Sequence, residues 1–152
     1  MRLDGKVALV TGATRGIGLA ISEAMARAGA RVLISSNEPE ACESVSAQLR
    51  ADGLEVTGVA CDVASREQLE ALLARGIEAF GHIDILVCNA GVAPHVGPIS
   101  SASDADWELT MTVNLRSVLW LTSLAIPGMA ERRDGSVILT LPIVILFFAS
   151  ER

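Results

Sequence analysis

Apolar positions along this chain switch repeatedly between short continuous runs and a spacing of three and four. Lys6–Thr11 is an apolar run ending at a glycine turn, the pattern of a strand buried on both faces. From Gly16 to Ala28, the residues Ile17, Ala20, Ile21, Ala24, Met25 and Ala28 recur at helical spacing, which predicts a helix that buries this face. Gly29 stops it, and Arg31–Ser35 reads as a second strand. Glu38–Arg50 predicts a polar helix ended by Gly53, and Leu54–Ala60 a third strand. Ser65 followed by Gln68 is a capping-box signature, opening a helix with the apolar face Leu69, Leu72, Leu73, Ile77 and Phe80. Ile83–Cys88 predicts a fourth strand, and 89–102 a loop. Ser103 and Asp106 then cap a long helix ending near Gly128 or Arg132, and Ser136–Leu141 begins a fifth strand.

Strands separated by helices imply parallel crossover connections, hence an α/β protein with an open sheet covered on both faces. No repeat, low-complexity tract or linker divides it, so 1–140 reads as one domain followed by an apolar tail at 141–152.

Composition narrows the functional classes. A chain of 152 residues with 51% hydrophobic residues can bury a real core and is not intrinsically disordered. Twelve basic against eighteen acidic residues, with no basic block, exclude a nucleic-acid surface. Cys42, Cys61 and Cys88 form no CxxC pair and have no His at zinc spacing, so they read as structural thiols with no metal site. The N-terminus lacks a signal-peptide pattern, and the longest nearly apolar run, Val137–Ala149, is too short to span a bilayer. The expectation is a soluble, cytoplasmic protein with no membrane partner.

The strongest chemical signal is Thr11-Gly12-Ala13-Thr14-Arg15-Gly16-Ile17-Gly18, between the first strand and the first helix. Gly12 permits a sharp turn, Gly16 and Gly18 allow close backbone approach, and the free N–H groups of the helix start face an anion there. This predicts a site for the pyrophosphate of a dinucleotide.

The spacing Gly-x-x-x-Gly-x-Gly, with Cys61-Asp62-Val63, Asn89-Ala90-Gly91 and Val113-Asn114-Leu115 following in order, resembles the short-chain dehydrogenase/reductase family from about Leu3 to Thr140. The resemblance implies a Rossmann-like doubly wound sheet of five parallel strands, ordered 3-2-1-4-5. It also implies that Gly12, Thr14, Arg15, Gly16, Ile17 and Gly18 surround the cofactor phosphates. Asp62 would hold the adenine amino group and Val63 the ring, while Asn89, Ala90 and Gly91 would shape the site beside the nicotinamide ribose. Asn114 would match the asparagine that holds a water in the family's proton relay.

Cofactor choice turns on the end of the second strand. An acid there binds the ribose hydroxyls of NAD, but this chain has Ser35-Ser36-Asn37. Arg15 suits a 2′-phosphate, so Ser36, Asn37 and Arg15 favour NADP(H) over NAD(H), with Glu38 and Glu40 weighing mildly against.

The same resemblance implies carbonyl reduction or alcohol oxidation, with a Ser orienting the substrate, a Tyr as general acid/base and a Lys four residues later lowering its pKa. Here Leu141 and Pro142 stand at the expected Ser-Ser positions, the chain has no Tyr, and Lys6 is the only lysine. Asn114 is the one remaining member of the catalytic tetrad. His95 could in principle titrate on the substrate side but reads better as a solvated loop residue. The resemblance stops at Thr140, as a frameshift, alternative splicing, a premature stop or a native short terminus would leave it. The expectation is a truncated oxidoreductase that binds NADP(H) and does little or no hydride transfer on a small carbonyl or alcohol. The alternative is a non-enzymatic nucleotide- or partner-binding module. An apolar tail at an open sheet edge predicts self-association or a homo-oligomer.

Overall fold

A computed structural model describes residues 2–140. The apolar tail at 141–152, with the two positions expected to carry the serine pair, lies outside the described residues. Five strands, β1 (Val7–Thr11), β2 (Arg31–Ser36), β3 (Val56–Ala60), β4 (Ile85–Cys88) and β5 (Ser136–Leu139), form one parallel sheet in the order β3-β2-β1-β4-β5. That is the expected order. β1 is central and buried throughout, so its side chains alternate between two cores. Val7 and Leu9 pack beneath α3 (Arg66–Phe80) and α5 (Ser117–Arg132). Ala8 and Val10 pack beneath α1 (Gly16–Arg27) and α2 (Pro39–Ala51).

The helices correct three sequence expectations. In α1 the buried residues are Gly18, Ser22 and Ala26, while Ile17 is 69% exposed and Ala20 and Ala24 face solvent. Small side chains let the helix axis approach the sheet, and that close approach outweighs the larger apolar stripe beside it. In α3, Gly76 takes the place expected of Ile77, which is 47% exposed; a Cβ at Gly76 would lie 2.9 Å from Ile83 Cδ1. The long helix is interrupted: α4 (Asp104–Met111) runs through a π turn at Thr112–Arg116 into α5.

Helix 104–132 is a long apolar segment in its own right. It has 29 residues, and an 18-residue window of it, 28% buried, has a mean hydropathy of 1.3, so it is long and apolar enough to cross a membrane by length and composition only. Here Leu121, Ala125 and Met129 instead bury themselves in the sheet core.

Caps set the helix starts. Ser103 and Asp106 form a complete capping box. The Ser65 hydroxyl accepts from Gln68 N at 3.3 Å, but the Gln68 side chain accepts from Asp62 N at 2.8 Å, so this box is only half formed. At the amino edge of the sheet, buried Asp84 accepts from Val7 N at 2.9 Å and pairs with His82 at 3.1 Å. Lys6 pairs with Asp134 at 2.6 Å on that same edge.

Candidate functional site

The carboxyl ends of β1, β2, β3 and β4 line the opposite edge, the side where open parallel sheets bind ligands. After Thr11 the chain turns through Gly12 (φ +62°) and enters α1 at Gly16 (φ +57°), both in the left-handed region where glycine is unstrained. The glycines differ in purpose. A Cβ at Gly12 would lie 2.8 Å from Ala90 Cα, and one at Gly18 would run into the Gly12 carbonyl. A Cβ at Gly16 would meet nothing within 4 Å. Two glycines therefore pack the turn onto the β4 end, and the third borders open space. Arg15, the N-cap of α1, makes no side-chain bond to the first turn. Among the described residues the N–H groups there have no side-chain acceptor, and they stand at the positive end of the helix dipole. An anion fits this cradle, so the residues suit a dinucleotide phosphate.

Asn89 holds the cradle in shape. Its Nδ2 donates to the carbonyls of Thr11 at 3.1 Å and Gly12 at 3.0 Å, and its Oδ1 accepts from Thr140 Oγ1 at 2.9 Å. Thr11 Oγ1 in turn accepts from the N–H groups of Asn89 at 3.0 Å and Ala90 at 3.1 Å. No local sequence signal marks Thr11 or Thr140 as a support of the cradle. Their partners lie 78 and 51 residues away, beyond the reach of any local pattern. Gly91, the last residue of the Asn-Ala-Gly motif, is exposed.

Asn114 lies in the π turn. Its Oδ1 accepts from Val92 N and its Nδ2 donates to Val92 O, both at 2.8 Å. The side chain expected in a proton relay thus pins the start of loop 92–102 to the helix. His95 donates from Nε2 to Pro98 O at 3.0 Å, inside that loop.

At the neighbouring strand ends, Ser36 is buried and Asn37 exposed. Glu38 stands at the N-cap position of α2 without a side-chain capping bond, and its carboxylate pairs with Arg15 at 2.7 Å. Asp62 is exposed; its Oδ1 accepts from Ala64 N at 2.9 Å, which orients the carboxylate beside buried Val63. Burial, and then the charge of Asp62, push the Cys61 thiol up to about 11. Burial likewise pushes the Cys88 thiol up to about 11. Neither is a nucleophile at neutral pH. The structure brings Gly12, Thr14, Arg15, Gly16, Ile17 and Gly18 together with Asn89 and Ala90, with Ser36, Asn37, Asp62 and Val63 at the adjacent strand ends. Lys6 stands at the other edge, away from all of them.

Residues 6–143 match the profile of the family described as short chain dehydrogenase. Dehydrogenase/reductase SDR family member 2, mitochondrial, of Homo sapiens is 43% identical over 137 residues, which is 90% of this chain and 49% of that protein. Dehydrogenase/reductase SDR family member 4 of Bos taurus is 39% identical over the same length and the same shares. The chain thus spans about half the length of these curated relatives. A crystal structure of a metagenomic short-chain oxidoreductase in complex with NADP superposes with a TM-score of 0.85 at 35% identity, covering 90% of this chain and 62% of that one.

Proposed function

Because the chain belongs to the short-chain dehydrogenase/reductase family, we propose that its glycine turn holds NADP(H) in preference to NAD(H), and that these 152 residues transfer little or no hydride by themselves. The carrying observation is the uncapped start of α1 beside Gly16, held rigid by Asn89 against the β4 end. Gly12 to Gly18 would bind the phosphates through main-chain N–H groups. Asp62 and Val63 would take the adenine, and Ser36, Asn37 and Arg15 the ribose end carrying the 2′-phosphate. The bound complex of the metagenomic relative with NADP supports this class of ligand.

A nicotinamide dinucleotide supplies or accepts the hydride in such chemistry. The protein must add a proton donor at the carbonyl oxygen, and the family's Tyr-x-x-x-Lys has no counterpart among these 152 residues. The Asn114 side chain bonds both main-chain groups of Val92 and positions a loop, a role compatible with a place in the proton relay.

The test is titration with NADPH and NADH, followed by calorimetry or by the fluorescence of Trp107 and Trp120 in helices α4 and α5. NADPH is expected to bind more tightly; equal affinities or tighter NADH overturn the preference. Turnover of NADPH on a panel of ketones and alcohols would overturn the claim of inactivity. A second reading, a partner-binding module, rests on Trp107, Leu115, Leu119 and Ile126, which stand exposed along 104–132. Stable pairing with a full-length relative, without nucleotide binding, would select it.

A further inference from the structure

The rim of the cradle carries an ion pair whose position bears on cofactor choice. Arg15 Nη1 and Glu38 Oε1 lie 2.7 Å apart, bridging the start of α1 and the end of β2. Glu38 is anchored by its main chain, whose N–H donates to Ser36 Oγ at 3.1 Å. The Ser36 oxygen also accepts from Cys42 Sγ at 3.5 Å, so the anchor is itself held by α2. Glu38 immediately precedes Pro39 at the start of α2, so the helix start fixes its backbone. Between 12 and 18 and between 35 and 41, Arg15 is the one basic residue. A 2′-phosphate at this rim therefore has a single guanidinium to bind, and that group is already paired.

We propose that Glu38 is a specificity-determining residue that latches Arg15, competing with a 2′-phosphate and narrowing the preference for NADP(H) over NAD(H). The inference rests on the cofactor reading above and adds to it the residue that sets the ratio. A phosphate entering the guanidinium fork must displace the carboxylate or sit beside it as a like charge. A 2′-hydroxyl carries no charge and meets no such competition. Glu38 thus acts on one nucleotide and leaves the other alone.

The experiment is calorimetric titration of the full chain with NADPH and NADH in the parent, Glu38→Gln, Glu38→Ser, Arg15→Gln and the Arg15→Gln/Glu38→Gln pair. Serine is a favoured N-cap, so Glu38→Ser removes the charge while keeping the helix start. Both Glu38 variants are expected to bind NADPH about two- to five-fold more tightly, the range that release of one exposed ion pair allows. NADH affinity should stay unchanged, and Arg15→Gln should abolish the gain. Adenosine 2′,5′-bisphosphate and 5′-AMP should reproduce the pattern without the nicotinamide half. NADPH binding that ignores both Glu38 substitutions overturns the latch alone. So does an equal gain for both nucleotides, or a loss of NADH affinity, which would make Glu38 a ribose ligand. Absence of binding by either nucleotide to parent and variants overturns the cofactor reading and the latch together.

Discussion

At the scale of single residues, Gly16 and Gly18 separate shape from stability. A methyl at position 18 collides with the Gly12 carbonyl and approaches Asn89 Nδ2 to 2.5 Å. Gly18→Ala should therefore cost about 1–3 kcal/mol of stability, as overpacking does. A methyl at position 16 has free space around it, and its cost is the left-handed φ, about 1–2 kcal/mol. It would, however, project into the cradle. Gly16→Ala should weaken nucleotide binding by more than its loss of stability explains, whereas Gly18→Ala should lose stability first; urea titrations and calorimetry on both variants separate the two. The buried thiols make a second prediction at this scale. Cys61 and Cys88 are each held up to about 11. Above the ordinary thiol range the unfolded chain releases these protons while the folded chain keeps them, so the folded state binds more protons. Their contribution is complete below pH 8 and is lost as pH climbs toward 11. The urea midpoint should fall across that window, and fall less in Cys61→Ala/Cys88→Ala; a flat midpoint from pH 8 to 10.5 in the parent would count against it.

Among the elements, the π turn at Thr112–Arg116 links helix to loop. It places Asn114 where one amide satisfies both main-chain groups of Val92. Asn114→Ala leaves that N–H and C=O without partners and should cost about 1–3 kcal/mol. Asn114→Asp keeps the acceptor but sets a carboxylate oxygen against the Val92 carbonyl, so it should fail to restore stability. Hydrogen exchange should rise first in 92–102, and equal protection in parent and variants would show that the loop does not depend on this amide. The elements also mark the boundary of what sequence makes visible. Strand number, the Ser103/Asp106 box and half of the Ser65/Gln68 box followed from period and motif, because those signals are local, whereas the strand order came with the family resemblance. The buried stripe of α1 did not follow from these signals, and in α3 Leu69, Leu72 and Leu73 were legible but Gly76 was not, because Gly18, Ser22 and Gly76 bury through their smallness, and hydrophobicity counts smallness as nothing. In the site, the glycine turn was legible from Gly12 to Gly18. Its supports were not: Thr11 with Asn89 and Asn89 with Thr140 join distant segments, and Arg15 meets Glu38 only once β2 is laid beside β1.

At the scale of the whole molecule, the sheet is finished unevenly. β3 lies at one edge, with α2 packed against it. β5 lies at the other, pairs only with β4 among the described residues, and leaves Ile138 42% and Leu139 48% exposed. Both faces of this edge strand therefore present apolar surface next to a row of main-chain groups, a combination that favours pairing with another chain. The exposed Trp107, Leu115 and Leu119 on the rod 104–132 add a second apolar region. We expect concentration-dependent self-association, seen by light scattering as a mass above the 15.9 kDa of one chain. A lysine on an edge strand blocks sheet extension. Ile138→Lys should therefore lower the mass toward the monomer if the β5 edge drives association, with little loss of stability because that side chain is half exposed. Leu119→Lys should do so instead if the helix drives it. A parent chain that stays monomeric at high concentration would show that neither surface recruits a second copy, and that the open edge is tolerated in isolation.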